Sequence, residues 1–150
     1  MKNILVAKYG AAEGCLKESR IRHSIGVANF LFAYAKSHDW SKEETEDLYL
    51  TGLLHDIGYI DNPKGTDHGR LGAEILKRNG LNAEICELIS CHGRFIENPS
   101  RKQALLWLAD LCVNRDGDYI GYQKRYESIK ERYKNCLLYT SDAADDRISV

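Results

Sequence analysis

Histidine and aspartate side chains that are able to bind metals recur through the middle of the chain. The sequence contains five histidines, and four of them belong to a series made of His23, the adjacent pair His55 and Asp56, His68, His92 and Asp110. Imidazole nitrogens and carboxylate oxygens are the ligands that borderline divalent metals such as Fe, Mn and Zn prefer. Taken singly, each residue has an ordinary explanation, such as a hydrogen-bonded core histidine or a surface acid. Their joint occurrence favours one metal centre, provided that the fold brings them together.

The elements that must position these residues are predicted to be helices. Capping patterns mark three helix starts, because a side-chain oxygen can accept a hydrogen bond from the backbone N–H three residues later. These starts are Ser41 with Glu44, Asn82, and Ser100 with Gln103. Apolar periodicity predicts helices over residues 16–37, 41–57, 67–78, 82–92, 104–113 and 118–134, and no segment favours a strand. We therefore expect an all-α bundle of five to six main helices.

The helix predicted over residues 16–37 carries an apolar stripe. Ile21, Ile25, Ala28, Phe32 and Ala35 recur at steps of three and four residues. That spacing is typical of one helix face, so these side chains are predicted to pack on the core.

Each candidate ligand falls on a predicted helix or at its end. His55 and Asp56 are neighbours, so their side chains point about 100° apart on a helix and can reach a centre from two directions. His92 continues the apolar face of Ile85 and Ile89 and should point inward. Asp110 lies within an apolar run, where a carboxylate is costly to bury unless it is paired or metal-bound.

The composition fits a single domain. The chain has 150 residues and a formal net charge of −1, which gives no electrostatic case for nucleic acid or an anionic membrane. No apolar run approaches the roughly 18 residues that a membrane span needs. Five cysteines without a CxxC pair indicate reduced thiols, and we expect a cytoplasmic protein.

The end of the chain breaks the helical pattern without a cap. The segment CLLYTSDAADD, from Cys136 to Asp146, resembles the translation of a sequencing adapter. We expect the domain to comprise residues 1–135, and residues 136–150 to be an adapter-derived or disordered tail outside the fold.

Five short motifs surround the candidate ligands. They are, in order, RHSIGVA with His23, GLLHDIG with His55 and Asp56, HGRLGAEIL from His68, ISCHG with His92, and LWLADL with Asp110. In order and context they resemble the HD-domain metal-dependent phosphohydrolases in their HDIG form, over about residues 20–114. The resemblance implies an HD-domain helical bundle around two divalent metal ions, with Fe or Mn favoured. It assigns one metal to His23, His55, Asp56 and Asp110, and has Asp56 bridge to a second metal held by His68 and His92.

The resemblance also implies an activity. It predicts hydrolysis of a phosphate ester or anhydride, most plausibly of a nucleotide, with His55 and Asp56 as catalytic residues. The HGxxGA element and the short interval before LAD are similar to bacterial hydrolases that split diadenosine tetraphosphate symmetrically. Two departures limit this closer similarity: the loop between Asp56 and His68 is short, and Gly93 stands where those enzymes usually have threonine.

Phosphate groups require cations near the centre. Arg70 and Arg94 each lie two residues after a candidate histidine ligand, and Lys64 lies in the preceding loop. We expect these three to bind substrate, although each is also explained as a solvated surface charge. Tyr119 or Arg125 could line a nucleobase pocket.

Two other functional classes stay open, together with a variant of the first. Some HD-domain proteins are mixed-valence di-iron oxygenases with the same six ligands, and others could bind a nucleotide without turnover. A single-metal phosphohydrolase is expected if His68 or His92 lies outside the centre.

Overall fold

The chain folds into a bundle of α-helices. The computed structural model describes residues 16–62 and 64–133. Its six helices are α1 (Glu18–Ser37), α2 (Lys42–Leu54), α3 (His68–Arg78), α4 (Ala83–Cys91), α5 (Arg101–Cys112) and α6 (Gly121–Tyr133). A 3₁₀ turn, Ile57–Ile60, follows α2. Among these residues the extended backbone is limited to one isolated bridge between Val113 and Tyr119, so the all-α prediction is confirmed.

The three predicted helix caps are present. The side chain of Ser41 accepts from the backbone N–H of Glu44, and Ser100 accepts in the same way from Gln103. Asn82 accepts from the N–H of Ile85 at 2.9 Å. These contacts satisfy N–H groups that a helix start leaves without a partner, and they fix where α2, α4 and α5 begin.

Two apolar clusters hold the helices together. The first joins α1, α2, α4 and α5 through buried side chains that include Val27, Leu48, Leu88 and Leu106. The second lies under the 3₁₀ turn and joins the end of α2 to α3 and α4; it consists of Leu54, Ile57, Ile75, Leu76, Ile85, Cys86 and Ile89. The candidate ligands are therefore delivered by elements that share a core.

The predicted core face of α1 is partly wrong. Ala28 and Ala35 are fully buried, but Ile21, Ile25 and Phe32 are each about 40% exposed. The buried face of the helix instead includes Val27 and Leu31. Beside them Ala28 lies against α2, where a Cβ on Gly52 would be 2.7 Å from the Cα of Ala28. The close approach of the α1 and α2 backbones determines which face of α1 is buried. The spacing of hydrophobic residues alone does not predict this approach.

The second helix ends earlier than predicted. It stops at Leu54 rather than at residue 57, and Asp56 adopts φ −101° and ψ 12° as the chain enters the 3₁₀ turn. Gly58 belongs to that turn and does not end α2; a Cβ there would lie 1.8 Å from the carbonyl oxygen of His68. The missing side chain allows the turn to press against α3, which brings Asp56 next to His68.

Several expectations concern residues outside the described part. These include the tail predicted over residues 136–150 and residues 1–15. The sequence also predicts a core stripe on α6 made of Tyr122, Tyr126, Ile129 and Tyr133. The side chains of Ile129 and Tyr133 lie outside the described part, and Tyr122 is 41% exposed and is not a core residue. Across the described segments, every helix is too short or too polar to cross a membrane.

Candidate metal centre

Six structural elements deliver the six candidate ligands to one place. The ligand atoms form three overlapping groups, each with its atoms within 4.8 Å of one another. His23 comes from α1, His55 from the end of α2, Asp56 from the start of the 3₁₀ turn, His68 from the start of α3, His92 from the end of α4, and Asp110 from α5. All six residues singled out in the sequence are therefore neighbours.

Each imidazole is oriented by a backbone carbonyl on its Nδ1 side. The Nδ1 to oxygen distances are 3.2 Å for His23 with Asn114, 2.7 Å for His55 with Gly52, 2.9 Å for His68 with Gly65, and 2.6 Å for His92 with Ile89. We assign the proton of each neutral ring to Nδ1, since only a protonated nitrogen can donate to a carbonyl. The Nε2 lone pairs are then left for the centre, as in metal sites whose histidines are fixed by outer hydrogen bonds.

The two oxygens of Asp56 face different histidines. Oδ2 lies 3.4 Å from Nε2 of His55. Oδ1 lies 3.3 Å from Nε2 of His92 and 3.5 Å from Nε2 of His68. The side chain is buried, with 7% of its surface exposed. This carboxylate is placed to serve two groups of ligands at once.

Asp110 completes the side of the centre that contains His23 and His55. Its Oδ1 lies 2.8 Å from Nε2 of His23 and 3.4 Å from Nε2 of His55. The side chain is 34% exposed, so this side of the centre opens to solvent.

Two features fit a bound cation. Nε2 of His55 is buried and has no hydrogen-bond partner within the described residues. The Nε2 atoms of His68 and His92 lie 2.8 Å apart, although both rings already use the Nδ1 proton, so two lone pairs face each other unless a cation or an extra proton lies between them. A set of imidazole nitrogens and carboxylate oxygens suits Fe, Mn or Zn.

The electrostatics of the centre are dominated by its buried carboxylates. Burial alone lowers the pKa of His55, but the charges of Asp56 and Asp110 outweigh burial and raise this pKa from 6.5 to about 9. Burial opposes ionisation of the two carboxyls, yet their neighbouring histidines hold both pKa values below the usual range. Burial and the nearby His92 lower the pKa of His68. The centre is thus an anionic site that attracts positive charge.

Sequence reasoning missed Arg20 and Tyr59. The Arg20 guanidinium donates to Oδ2 of Asp56 at 3.0 Å and stacks 3.4 Å above the centroid of the Tyr59 ring. Arg20 lies three residues before His23, so helical spacing alone placed both on one side of α1. No spacing rule connects Tyr59 with either residue, because the 3₁₀ turn was not predicted.

The three cations predicted to bind substrate contact other groups. Arg70 is exposed and paired with Asp67 and Glu74. Arg94 contacts Sγ of Cys91 at 3.7 Å, and Lys64 is exposed. The structure places Arg20, rather than any of these three, in contact with a member of the candidate ligand set.

The chain belongs to the HD domain family, whose model matches residues 20–132. Members of this family are generally metal-dependent hydrolases. The match contains all six candidate ligands as well as Arg20 and Tyr59, which lie within the same residues.

Curated relatives resemble this domain over a part of their own length. Ribonuclease Y of Mycoplasma mycoides subsp. mycoides SC is 34% identical over 113 residues, which cover 74% of this chain and 20% of the relative. Ribonuclease Y of Fervidobacterium nodosum is 35% identical over 92 residues, or 55% of this chain and 18% of the relative. An uncharacterized protein of Methanocaldococcus jannaschii is 31% identical over 77 residues, or 50% and 45%. The chain thus spans about a fifth of the ribonucleases that it matches. No solved structure matches it significantly.

Proposed function

We propose that this protein is a metal-dependent phosphohydrolase with a binuclear centre, and that its substrate is a phosphate ester or anhydride of a nucleotide. In this proposal His23, His55, Asp56 and Asp110 hold one divalent metal, and His68 and His92 hold the second. Asp56 would serve both metals. Fe or Mn is the favoured metal.

The main support for this proposal is the placement of the two carboxylate oxygens of Asp56. Oδ2 faces His55 at 3.4 Å, while Oδ1 faces His92 and His68 at 3.3 and 3.5 Å. A bridging ligand needs this arrangement, in which each oxygen of one buried carboxylate faces a different group of nitrogens. The orphaned Nε2 of His55 supports the same interpretation.

The residues of the centre have distinct tasks in hydrolysis. Bound divalent metals would supply a water of lowered pKa, near about 7, and would neutralise charge on the phosphoryl oxygens. The chain itself fixes the six ligand atoms in advance, so little reorganisation is needed when charge develops. Because Asp110 is partly exposed, we place the phosphoryl group on its side of the centre.

Positive side chains near the opening would bind the substrate. We propose Arg70, Arg94 and Lys64 for this role, and add Arg20, which already contacts Asp56. Arg70 must leave its pairs with Asp67 and Glu74, which are exposed and contribute little individually. Guanidinium groups suit this task because they offer paired donors to phosphate oxygens.

Two sequence motifs indicate the substrate class. The HGxxGA element that begins at His68 and the short interval before LAD support a nucleotide polyphosphate such as diadenosine tetraphosphate. The short loop after Asp56 and the glycine at position 93 count against that narrow assignment. A mononucleotide is therefore included in the same proposal.

A second candidate substrate is RNA. The observation that favours it is the 34% identity to Ribonuclease Y over 113 residues. The formal net charge of −1 argues against an extended electrostatic footprint for nucleic acid. A short single-stranded end that enters the centre would need fewer phosphate contacts than a duplex.

A substrate panel tests the proposal. Protein loaded with Mn²⁺ or Fe²⁺ is incubated with nucleoside mono-, di- and triphosphates, dinucleoside polyphosphates and short RNA, and the products are separated by chromatography. We expect release of phosphate or nucleotide, and at least a hundredfold loss of rate in the His55→Gln variant, as is usual when part of a catalytic unit is removed. His38→Gln is the matched control, because His38 is exposed and stacks on Tyr34 outside the centre.

Other outcomes would overturn the proposal. Metal-loaded protein that hydrolyses none of these compounds, but consumes oxygen with an organic substrate and needs iron, would identify an oxygenase. Tight nucleotide binding without turnover, abolished in His55→Gln, would identify a binding module.

A further inference from the structure

Tyr59 lies between two side chains that reach the same carboxylate. One face of its ring stacks on the Arg20 guanidinium, 3.4 Å from the ring centroid. The ring also packs against the His68 imidazole, with centroids 4.5 Å apart and planes tilted by 33°. Arg20 contacts Oδ2 of Asp56 at 3.0 Å, whereas Nε2 of His68 lies 3.5 Å from Oδ1. The Tyr59 ring therefore contacts both Arg20 and His68, which face different oxygens of Asp56.

The backbone fixes Tyr59 relative to that carboxylate. Tyr59 and Asp56 belong to one short turn, in which the N–H of Tyr59 donates to the carbonyl oxygen of Asp56 at 3.2 Å. The ring also closes on the loop before α3, because a Cβ on Gly65 would lie 2.6 Å from Cε1 of Tyr59. Gly65 has φ +83°, and its carbonyl accepts the Nδ1 proton of His68. Tyr59 thus contacts both the ring of His68 and the loop that orients it.

His68 is the candidate histidine that most needs such support. Its side chain is 19% exposed, compared with none for His55 and His92 and 8% for His23. A more exposed imidazole keeps more rotational freedom, and the loss of that freedom opposes metal binding. Stacking on a half-buried aromatic ring restricts it.

We propose that Tyr59 is a positioning residue of the centre, which holds His68 toward one oxygen of Asp56 and Arg20 toward the other. This inference rests on the proposed binuclear function, since it assigns Tyr59 to the metal held by His68 and His92. The contacts that provide this support are made by the ring, which both Arg20 and His68 touch. Phenylalanine should therefore replace Tyr59, and an aliphatic residue should not.

Stepwise binding of Mn²⁺ to the metal-free protein tests this inference. The free Mn²⁺ signal in electron paramagnetic resonance gives the two dissociation constants of the wild type, Tyr59→Leu and Tyr59→Phe. We expect the Leu variant to bind its weaker Mn²⁺ about tenfold or more less tightly, as for loss of other groups that orient ligands, with the tighter site unchanged. The Phe variant should keep both wild-type constants.

The fold provides a matched control. Tyr34 also contacts an arginine and a histidine, but far along α1 from the centre. Arg101 lies 5.7 Å from its ring centroid and donates to its hydroxyl at 2.7 Å, and the ring centroid of His38 lies 3.9 Å away. Tyr34→Leu should leave both Mn²⁺ constants unchanged. Cooperative thermal unfolding confirms that each variant is folded; if Tyr59→Leu is not, Tyr59→Met gives the same comparison with an unbranched side chain that adapts to irregular space.

The two possible failures are distinguishable. Wild-type protein that binds two Mn²⁺ ions, with both constants kept in folded Tyr59→Leu, would overturn the role of Tyr59 and leave the proposed function intact. Weakening that is equal in Tyr59→Phe and Tyr59→Leu would also overturn it, because the ring face would then be irrelevant. Wild-type protein that binds no Mn²⁺ would overturn the proposed function and this inference with it.

Discussion

Nε2 of His68 lies 2.8 Å from Nε2 of His92, while the Nδ1 proton of each ring is used by a backbone carbonyl. Two unprotonated nitrogens at this distance repel each other, so the pair is stable only with a positive charge between them. An extra proton can supply that charge, but the pKa of His68 is lowered by burial and by His92. A divalent metal held by His68, His92 and Asp56 would supply that charge.

Metal addition should therefore stabilise the protein. Because a ligand that binds only the folded state adds free energy of unfolding, each site at 100 times its dissociation constant contributes about 2.7 kcal/mol. We expect the thermal midpoint of the metal-free protein to rise with Mn²⁺ and to fall again with a chelator. Asp56→Asn should show a smaller rise, and a midpoint that does not respond to Mn²⁺ in the wild type would contradict the account.

The pH dependence of metal binding follows from His55. Its folded-state pKa is about 9 rather than 6.5, so the ring is protonated near neutral pH in the metal-free protein. Metal requires the neutral ring, and binding must release this proton. Apparent affinity for Mn²⁺ should rise by about tenfold per pH unit as pH increases toward 9. Calorimetric titration in two buffers of different protonation enthalpy measures the released proton, and an affinity that is independent of pH would contradict the assignment.

The raised pKa of His55 has the opposite effect on the stability of the metal-free protein, which falls as pH increases. A raised folded-state pKa contributes stability that is fully present below pH 6.5 and is lost as pH rises through about 9. The free energy of unfolding in the presence of chelator should therefore fall across this window. In His55→Gln the decline should be absent, which separates this histidine from other titrating groups.

The loop that orients His23 depends on two glycines. A Cβ on Gly26 would lie 2.2 Å from the carbonyl oxygen of Gly117, and the N–H of Gly117 donates to the carbonyl of Asn114 that accepts from His23. Gly26→Ala should push this loop away, lower the free energy of unfolding by about 1–3 kcal/mol, and weaken metal binding. Urea unfolding and Mn²⁺ binding measure both effects.

A control on the same helix isolates the effect at Gly26. Asn29 is exposed on α1, and Asn29→Ala should change stability by less than about 0.5 kcal/mol. If Gly26→Ala and Asn29→Ala behave alike, the contact between Gly26 and Gly117 does not position His23.

The helices were predictable where local chemistry sets them. Ser41, Asn82 and Ser100 cap their helices as predicted, because a cap depends on residues three positions away. The core face of α1 was not predictable in the same way. Ile25 is 41% exposed because close packing of Ala28 on Gly52 decides which side faces α2, and this contact joins residues distant in sequence.

In the candidate site, too, the residues marked by local sequence were predictable and the contacts between distant residues were not. Residue types and motifs identified all six candidate ligands, because histidine and aspartate stand out within apolar helical segments. Arg20 and Tyr59 were missed because their roles arise from the 3₁₀ turn, which the helix pattern concealed. Arg70 was chosen for its proximity in sequence to His68, yet it pairs with Asp67 and Glu74. The spacing of residues in the sequence does not predict which side chains pair across the fold.

The number of metal ions per chain in His92→Gln tests the central claim most directly. Wild-type protein, His92→Gln and the control His38→Gln are saturated with Mn²⁺, freed of excess metal by gel filtration, and analysed for metal and protein. We predict two ions in the wild type and in His38→Gln, and one in His92→Gln, with phosphohydrolase activity lost only from the last. An equal metal content in all three proteins would contradict a binuclear centre that includes His92.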